Sequence, residues 1–319
     1  MRARNRAELG AYDAVVIGGG LAGVSAAYAA AKEGHKVAVV EPTGSLGREI
    51  VRARNFDVDL SRYDRQYPVV AALLDRLKAR KGWFDGLLDT NCTATALDDV
   101  MDEAGVDVLF QSIESKLVTE NGKAAGVEIA TKSGYGLLKA RYVVDASARG
   151  KLSRRYFRTA NLPSGASAIH LLFNSVQGEC PGEAQIEIPE FGYVAVKCRP
   201  TYWEAEWRVT FYADRYVERD QWTRLLKEAF GPLHELAPAL TTGVLTYVAD
   251  DVWAEPGFAV SAAVRTGTDA AATAHSDGIG ELIPAGMWRE GFSFDLHDEE
   301  RTLMNAVGLG QSVGTSIGE

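Results

Sequence analysis

Residues 12–41 have the sequence YDAVVIGGGLAGVSAAYAAAKEGHKVAVVE. A short apolar run enters a glycine turn, and an alanine-rich segment suited to a helix follows. A second apolar run then ends at the acidic Glu41. Strand, glycine turn, helix, strand and acid in this order are typical of a dinucleotide-binding βαβ unit.

The three glycines and the acid of this unit each have a chemical reason. Gly18 allows a tight turn, Gly20 lets the backbone approach a pyrophosphate, and Gly23 lets helix and strand pack closely. The amino end of the helix offers unpaired N–H groups and a partial positive charge to phosphates. Glu41 can accept hydrogen bonds from a ribose diol. We therefore predict a dinucleotide site on this turn.

The same stretch has a competing interpretation. The 18 residues between Asp13 and Lys32 are uncharged and follow a basic start, as in a signal peptide or a short membrane span. Four glycines and a tyrosine interrupt this run, and Glu8 lies where the apolar core of a signal should begin. We expect no membrane segment and a cytoplasmic protein.

Composition sets further bounds. The 319 residues are 46% hydrophobic, enough for a large core and two lobes. A net charge of −9 argues against nucleic acid as the main partner. The three cysteines, Cys92, Cys180 and Cys198, are far apart and lack C-x-x-C spacing, so we predict a reducing compartment and no metal site.

Beyond Glu41 the pattern continues as an α/β chain. A second glycine-bearing loop spans residues 42–49, and helices are predicted over 60–81 and 96–104. Three short strand-like runs within residues 115–138 form an antiparallel meander, and a buried strand begins at Arg141.

With these motifs the chain resembles FAD-dependent oxidoreductases of the glutathione-reductase-type superfamily, including flavoproteins similar to p-hydroxybenzoate hydroxylase. The resemblance covers residues 12–150. Its motifs are the glycine turn, Glu41, the Gly105–Val108 run, and the Val143–Gly150 segment. One departure is Ala148, where the family usually has glycine.

The resemblance implies FAD as the cofactor. In such proteins the acid of the second strand holds the adenosine ribose, backbone near Ile113 meets the adenine, and the turn after Asp145 passes the adenosine half. A Gly-Asp pair usually binds ribityl or ribose hydroxyls, and here Met287 follows Gly286 instead. The cofactor-binding residues predicted in this way are Gly18, Gly20, Leu21, Ala22, Gly23, Glu41, Pro42, Gly47, Arg48, Ile113, Asp145, Ala146, Ser147, Gly286 and Met287.

The predicted fold class is α/β. A Rossmann-like FAD-binding domain, with a central parallel sheet and an antiparallel meander, comprises residues 11–160 and 252–319. A substrate lobe with a mixed β-sheet is inserted as residues 161–251, and we predict an amphipathic helix over 217–230 and a strand over 244–248 within it. Residues 1–10 are expected to be a flexible arm, and residues 299–308 a closing helix.

Catalytic candidates lie in the second lobe and near the carboxyl end. His170 interrupts an apolar strand and, by alternation, shares a sheet face with Ala168 and Leu172; it could steer a substrate or simply be packed. Arg199 and Tyr202 could grip a carboxylate substrate or cover a sheet edge. His275 lies in a loop expected to lead into the cofactor-closing strand. For Arg48, cofactor contact and a surface ion pair with Glu49 or Asp59 are both open.

The predicted function is oxidation of a small organic substrate, by hydride transfer to flavin N5 or by oxygenation through C4a. The chain has no second dinucleotide motif and no redox-cysteine pair, so NAD(P)H or O₂ would act as a transient co-substrate. One alternative is a flavin-binding accessory subunit or a flavoprotein acting on another protein, to which exposed Trp288 and Phe292 would point. A second is an NAD-dependent dehydrogenase. A homodimer or a protein partner is possible in either case.

Overall fold

The computed structural model describes residues 7–162, 165–189, 191–264 and 282–318. The strands are β1 (Ala7–Ile17), β2 (Val37–Glu41), β3 (Trp83–Phe84), β4 (Leu87–Leu88), β5 (Asp107–Phe110), β6 (Ile113–Glu120), β7 (Lys123–Thr131), β8 (Gly134–Asp145), β9 (Phe157–Asn161), β10 (Ser167–Asn174), β11 (Glu183–Ile188), β12 (Gly192–Pro200), β13 (Trp207–Ala213), β14 (Val244–Val248), β15 (Trp253–Ala254), β16 (Phe258–Val264) and β17 (Leu282–Pro284). The helices are α1 (Leu21–Lys32), α2 (Arg48–Val51), α3 (Pro68–Ala79), α4 (Thr90–Glu103), α5 (Ser153–Tyr156), α6 (Arg219–Leu236) and α7 (Glu299–Thr315).

A seven-stranded sheet forms the centre of the molecule. Its order is β5-β2-β1-β8-β7-β6, and β17 also pairs with β8. The pairs among β5, β2, β1, β8 and β17 are parallel, whereas β6, β7 and β8 form the predicted antiparallel meander. Strands buried on both faces carry continuous apolar runs, which explains the Val-rich sequences of β1 and β2. The predicted α/β fold class is confirmed.

The long strand β8 replaces two predicted strands. The third run of the meander and the buried strand from Arg141 are one continuous element, Gly134–Asp145. Its first half pairs with β7 and its last three residues pair with β17. The predicted flexible arm also changes, because Ala7–Gly10 belong to β1 and pair with β8 across a bulge.

Two predicted helices have different limits. The helix expected over 60–81 is a 3₁₀ turn (Leu60–Arg62) and then α3, which begins at Pro68. Proline fits the first turn of a helix but disfavours a helical conformation in the residue before it, so the two pieces are separate. Helix α4 begins at Thr90 instead of residue 96, because Asp89 caps it by accepting from Cys92 N.

The second sheet has six strands, in the order β11-β12-β13-β10-β14, with β15 on β10. All of its described pairings are antiparallel, so the predicted mixed sheet is corrected in this detail. One face, including Ile169, Leu171 and Phe173, packs on α6 and forms a separate core. The opposite face turns toward the seven-stranded sheet and its flanking helices, which are called the first domain below, since Ala168 and Tyr212 pack against their core.

Helix α7 lies directly against α1. Ser25 Oγ donates to Val307 O at 2.8 Å. A Cβ at Gly310 would lie 2.1 Å from Ala22 O, and one at Gly314 would lie 2.4 Å from Ala26 O. The two backbones therefore touch where side chains are absent. None of the helices within the described ranges combines the length and apolar character that a bilayer crossing requires.

Candidate functional site

The glycine turn joins β1 to α1. Gly18 has φ +95°, and a Cβ there would lie 2.7 Å from Ala146 O. A Cβ at Gly23 would lie 1.9 Å from Gly18 O, so only glycine allows α1 to approach the end of β1 so closely. Gly20 caps α1 with extended backbone and without a side-chain hydrogen bond. The tight turn at Gly18, the missing side chain at Gly20 and the close packing at Gly23 all suit a phosphate-binding turn.

Glu41 lies at the carboxyl end of β2, as the sequence predicted. Its side chain is buried, and Oε2 accepts from Gly19 N at 2.7 Å. Oε1 accepts from Thr43 N at 2.8 Å and from Thr43 Oγ1 at 2.6 Å. The carboxylate thus fixes the glycine turn to the following loop. A carboxylate has about four acceptor positions, so capacity for a ribose hydroxyl is left.

A second carboxylate, Glu49, lies at the amino end of α1. Its Oε2 accepts from Leu21 N at 2.8 Å, and a Cβ at Gly20 would lie 2.6 Å from Oε1. Burial raises the pKa of Glu49, and the charge of Glu41 adds to this, whereas the charge of Arg48 and the hydrogen bond from Leu21 oppose it. Nothing in the sequence pattern identified Glu49, because the loop that carries it has no regular period.

Asp145 ends β8 and is completely buried. Its Oδ1 accepts from Ser147 Oγ at 2.6 Å and from Ser147 N at 3.2 Å, and Oδ2 accepts from Ser153 N at 2.8 Å. Burial raises its pKa above the ordinary value, although these hydrogen bonds oppose the rise. Its side chain therefore holds the turn after β8 and the start of α5.

The loop after β2 closes over the glycine turn. Gly47 N donates to Gly19 O at 2.7 Å, and Gly47 has φ +68°. Arg48 Nε lies 3.3 Å from Asp251 Oδ2, next to Arg52 Nε at 2.8 Å from the same oxygen. The partner of Arg48 in the described structure is thus Asp251, and not Glu49 or Asp59 as the sequence suggested.

The other predicted cofactor residues surround the same edge. Leu21 and Ala22 form the buried first turn of α1, Ala146 N donates to Ile17 O at 2.9 Å, and Pro42 is exposed. Ile113 opens β6 and is exposed. Gly286 is buried under Trp288, and Met287 packs against the first core.

The aromatic side chains of the segment 288–298 are packed instead of exposed. Trp288 is 2% exposed, donates through Nε1 to Ser147 O at 2.6 Å and stacks on Phe258. Phe292 is half-buried. The expectation of exposed aromatic side chains, which pointed to a partner protein, is therefore wrong.

His170 lies on the sheet face that turns toward the first domain. It is fully buried, its Nδ1 lies 2.8 Å from Thr210 Oγ1, and its Nε2 has no hydrogen-bond partner among the described residues. Burial, together with the charge of Arg208, lowers the pKa of His170 well below its ordinary value. The imidazole is consequently neutral at pH 7.

Arg208 shares this face, and the sequence analysis missed it. Its guanidinium is 1% exposed and forms a bidentate pair with Glu299 at the start of α7, with distances of 2.8 and 2.9 Å. It also donates to Arg54 O at 3.3 Å and lies over the ring of Phe56, 4.5 Å from its centroid. Alternation from Tyr212 along β13 could have placed Arg208 on the inner face. Its anionic partner, 91 residues away, carries no local signal.

Arg54 and Asn55, which follow α2, were also missed in the sequence analysis. Arg54 Nη1 donates to Thr90 Oγ1 at 2.6 Å and to Asn91 Oδ1 at 2.9 Å, and its guanidinium lies 3.7 Å from the centroid of Tyr247. Asn55 is fully buried and donates to Glu49 O at 2.9 Å. Arg54 Nε and Asn55 Oδ1 are buried without a hydrogen-bond partner among the described residues.

The remaining catalytic candidates contact the first domain. Arg199 forms an ion pair with Asp57, and Tyr202 OH donates to Lys81 O. Arg199 lies opposite Arg208 in the β12–β13 register and therefore shares its sheet face, whereas Tyr202 follows β12. His275 lies outside the described residues.

Residues 13–156 match the model of the family described as FAD dependent oxidoreductases. That range contains the glycine turn, Glu41, the meander and the Asp145 turn. Over this range the chain is similar to that family. The cofactor of this flavoprotein is FAD, and the chain is an enzyme.

Solved structures resemble the flavoprotein over nearly its whole length. p-Nitrophenol 4-monooxygenase from Pseudomonas putida is 16% identical, with a TM-score of 0.63, over 97% of this chain and 80% of that one. A geranylgeranyl bacteriochlorophyll reductase-like protein from Thermoplasma acidophilum is 18% identical, with a TM-score of 0.60, over 96% and 78%. A flavoprotein/dehydrogenase from Cytophaga hutchinsonii is 15% identical, with a TM-score of 0.64, over 96% and 78%. At such identities the likeness establishes the fold. No curated protein sequence matches the flavoprotein significantly.

The residues of the flavoprotein fit FAD in two places. The glycine turn leaves Gly20 without a Cβ at the amino end of α1, with Glu41 at the end of the neighbouring strand. Unpaired buried polar atoms of Arg54, Asn55, His170 and Arg208 lie at or near the contact between the two sheets. One group opposes the fit, since the Glu49 carboxylate covers the backbone of Gly20 and Leu21.

Proposed function

We propose that this FAD-dependent enzyme oxidises a small organic substrate between the inner face of the six-stranded sheet and the first domain. The cofactor domain comprises residues 11–160 and 252–319, and the substrate lobe residues 161–251. FAD supplies a hydride acceptor at N5 and a carbon, C4a, that reacts with oxygen. Either hydride transfer or oxygenation suits this site, with NAD(P)H or O₂ as co-substrate.

The observation that carries the proposal is the buried polar face around His170. A neutral imidazole with a free Nε2, next to a buried arginine, occurs where two lobes meet. Ligand sites in proteins prefer such domain contacts, with a few polar groups in an apolar wall. Structural burial alone would leave the free Nε2 without an explanation.

His170 is assigned the role of a hydrogen-bond partner for a substrate hydroxyl or carbonyl. Because the nearby Arg208 charge and burial keep the imidazole neutral, it can donate or accept one hydrogen bond at Nε2. Because its pKa is low, His170 is not the group that accepts a proton from the substrate. Thr210 orients the ring through Nδ1. The Arg208–Glu299 pair fixes the sheet against α7.

Two expected contacts at the cofactor follow from the described geometry. Backbone N–H groups at the start of α1 would bind the phosphates, and Glu41 would bind a ribose hydroxyl with its remaining acceptor capacity. Asp145 supports this site from behind, through the turn at Ser147.

The first test is spectroscopic. Purified protein should be yellow with flavin absorption near ~450 nm. Anaerobic mixing with NAD(P)H should bleach a monooxygenase or reductase and leave a substrate-driven oxidase unchanged. A colourless protein that binds NAD and not FAD would contradict the proposal.

The second test changes His170. His170→Asn keeps an amide near the Thr210 contact but removes the group at Nε2. We expect turnover of the identified substrate to fall by roughly 10²-fold or more, with flavin content unchanged. Thr210→Val should have a smaller effect, because it only loosens the ring. Equal turnover of His170→Asn and wild type would exclude the assigned role.

A further inference from the structure

Glu49 places a negative group where the glycine motif exposes backbone to phosphate. Its Oε2 accepts from Leu21 N at 2.8 Å, and its Oε1 lies within 2.6 Å of the position of a Cβ on Gly20. These are the backbone atoms that a dinucleotide turn offers to a pyrophosphate. A carboxylate and a phosphate oxygen cannot both accept from the same N–H at this distance.

The charges around this position make joint occupancy unfavourable. The carboxylates of Glu41 and Glu49 flank the segment from Gly19 to Leu21. Arg48 is the nearby cation that opposes the repulsion between them, but it also pairs with Asp251. A diphosphate would add negative charge beside two buried acids. Like charges in a buried site raise each other's free energy substantially.

The Glu49 side chain can move without dismantling the loop. The loop is held by backbone groups: Gly47 N donates to Gly19 O, and Asn55 Nδ2 donates to Glu49 O. Arg48 and Arg52 anchor the same turn to Asp251. None of these bonds uses the Glu49 carboxylate, so a rotation about its side-chain bonds would free Leu21 N.

We propose that Glu49 closes the phosphate-binding turn in the protein without nucleotide and that its carboxylate leaves Leu21 N when FAD binds. Glu49 is then a positioning residue that lowers the affinity for FAD by competing for the helix terminus. This proposal rests on the FAD site of the proposed function.

The test measures FAD binding to the full-length apoprotein by quenching of flavin fluorescence, which gives Kd and the association rate constant. Glu49→Ala removes the competing group, and Glu49→Gln keeps its shape while removing its charge. Glu33→Gln is the matched control, since Glu33 is exposed at the other end of α1. Thermal unfolding of each variant confirms that it is folded.

We expect Glu49→Ala to lower Kd for FAD by about tenfold or more and to raise the association rate, with Glu49→Gln intermediate and Glu33→Gln unchanged. FAD binding by Glu49→Ala but not by wild type would support the proposal equally. Unchanged or weaker binding by folded Glu49→Ala or Glu49→Gln would overturn it. Failure of every variant to bind FAD would overturn the FAD site itself, and this proposal with it.

Discussion

Three buried carboxylates organise the edge of the sheet where the parallel strands end. Glu41 holds Gly19 and Thr43, Asp145 holds Ser147 and Ser153, and Glu49 holds Leu21. Each accepts a backbone N–H that would otherwise lack a partner in a loop. The loops at this edge are therefore fixed by acids as well as by glycines.

Replacing Glu41 tests the first of these acids. In Glu41→Gln one carboxylate oxygen becomes an NH₂ donor that faces the N–H of Gly19 or of Thr43. A buried donor without an acceptor costs about 1–3 kcal/mol, and the acceptor proposed for the ribose is lost. We expect lower stability in urea and less FAD retained after purification. Glu33→Gln, on the exposed surface, is the control, and full flavin retention by Glu41→Gln would contradict the assigned role.

The raised pKa of Glu49 predicts the direction in which the stability of the fold changes with pH. Since burial raises it above its ordinary value of 4.5, the folded protein binds more protons here than the unfolded chain. The stabilising contribution is complete below pH 4.5 and is lost as the pH rises through the folded-state pKa. Asp145 acts in the same direction.

The measurement is the apoprotein's free energy of unfolding against pH, for wild type and Glu49→Gln. The variant should lose stability less steeply between pH 4.5 and neutrality. The slope per proton is at most about 1.4 kcal/mol per pH unit. Identical slopes would show that the carboxyl group titrates in the same way in both states.

For individual residues, the sequence predicted the positions of those whose spacing is fixed by secondary structure. Gly18, Gly23 and Glu41 lie at strand or helix ends, so their positions follow from the βαβ pattern. Glu49 and Arg208 could not be predicted in their roles. The direction of the Glu49 side chain depends on the left-handed Gly47, and the partner of Arg208 comes from a distant helix.

Among the elements, the helices α1 and α7 are in close backbone contact. Gly310 and Gly314 lie on the side of α7 that meets the backbone of α1 at Ala22 and Ala26. Helices can approach this closely only where one of them lacks a side chain at the contact and the other presents small residues. The position of α7, and of Glu299 at its start, is thereby tied to helix α1, which follows the glycine turn.

Gly310→Ala should disturb this contact. Its Cβ would lie 2.1 Å from Ala22 O, so α7 must shift. We expect a loss of about 1–3 kcal/mol, measured by urea unfolding, because overpacking outweighs the higher helix propensity of alanine. Gly257→Ala is the control, since no atom lies within 4 Å of its added Cβ. A stabilised Gly310→Ala would show that the helices separate freely.

The sequence predicted element types better than element ends. The amphipathic helix α6 and strand β14 were expected, and the structure contains them. Helix α4 was expected six residues too late, because a capping aspartate before polar residues gives a weaker signal than an apolar period. Strand β8 was divided because its centre, where the pairing partner changes, contains charged and small residues.

For the whole molecule, the decisive contact is the buried Arg208–Glu299 pair. It connects the inner face of the second sheet to α7 of the first domain. Arg52 and Asp251 form another, partly exposed connection. The sequence suggested two lobes but could not predict how they meet, because that geometry depends on pairs between residues far apart in the chain.

Glu299→Gln should weaken the packing of the second sheet against α7. It leaves the Arg208 charge buried without an anion, which costs about 3–5 kcal/mol. The double variant Arg208→Met/Glu299→Leu should recover much of this stability, since apolar residues remove both buried charges. The measurement is denaturant unfolding followed by tryptophan fluorescence. Asp220→Asn, at the exposed pair with Arg224, should cost under about 1 kcal/mol. Equal losses in Glu299→Gln and Asp220→Asn would contradict the assignment.

The contact between α1 and α7 also has a consequence for biosynthesis. Ser25 and Val307 are 282 positions apart, so the first βαβ unit lacks its covering helix until residues 299–315 have left the ribosome. During that interval apolar surface of α1 stays open to solvent. Contacts between residues so far apart in sequence form slowly. The partly folded chain, in which α7 does not yet cover α1, is therefore prone to aggregate. A nascent chain arrested before residue 299 should therefore depend on chaperones more than the released protein does.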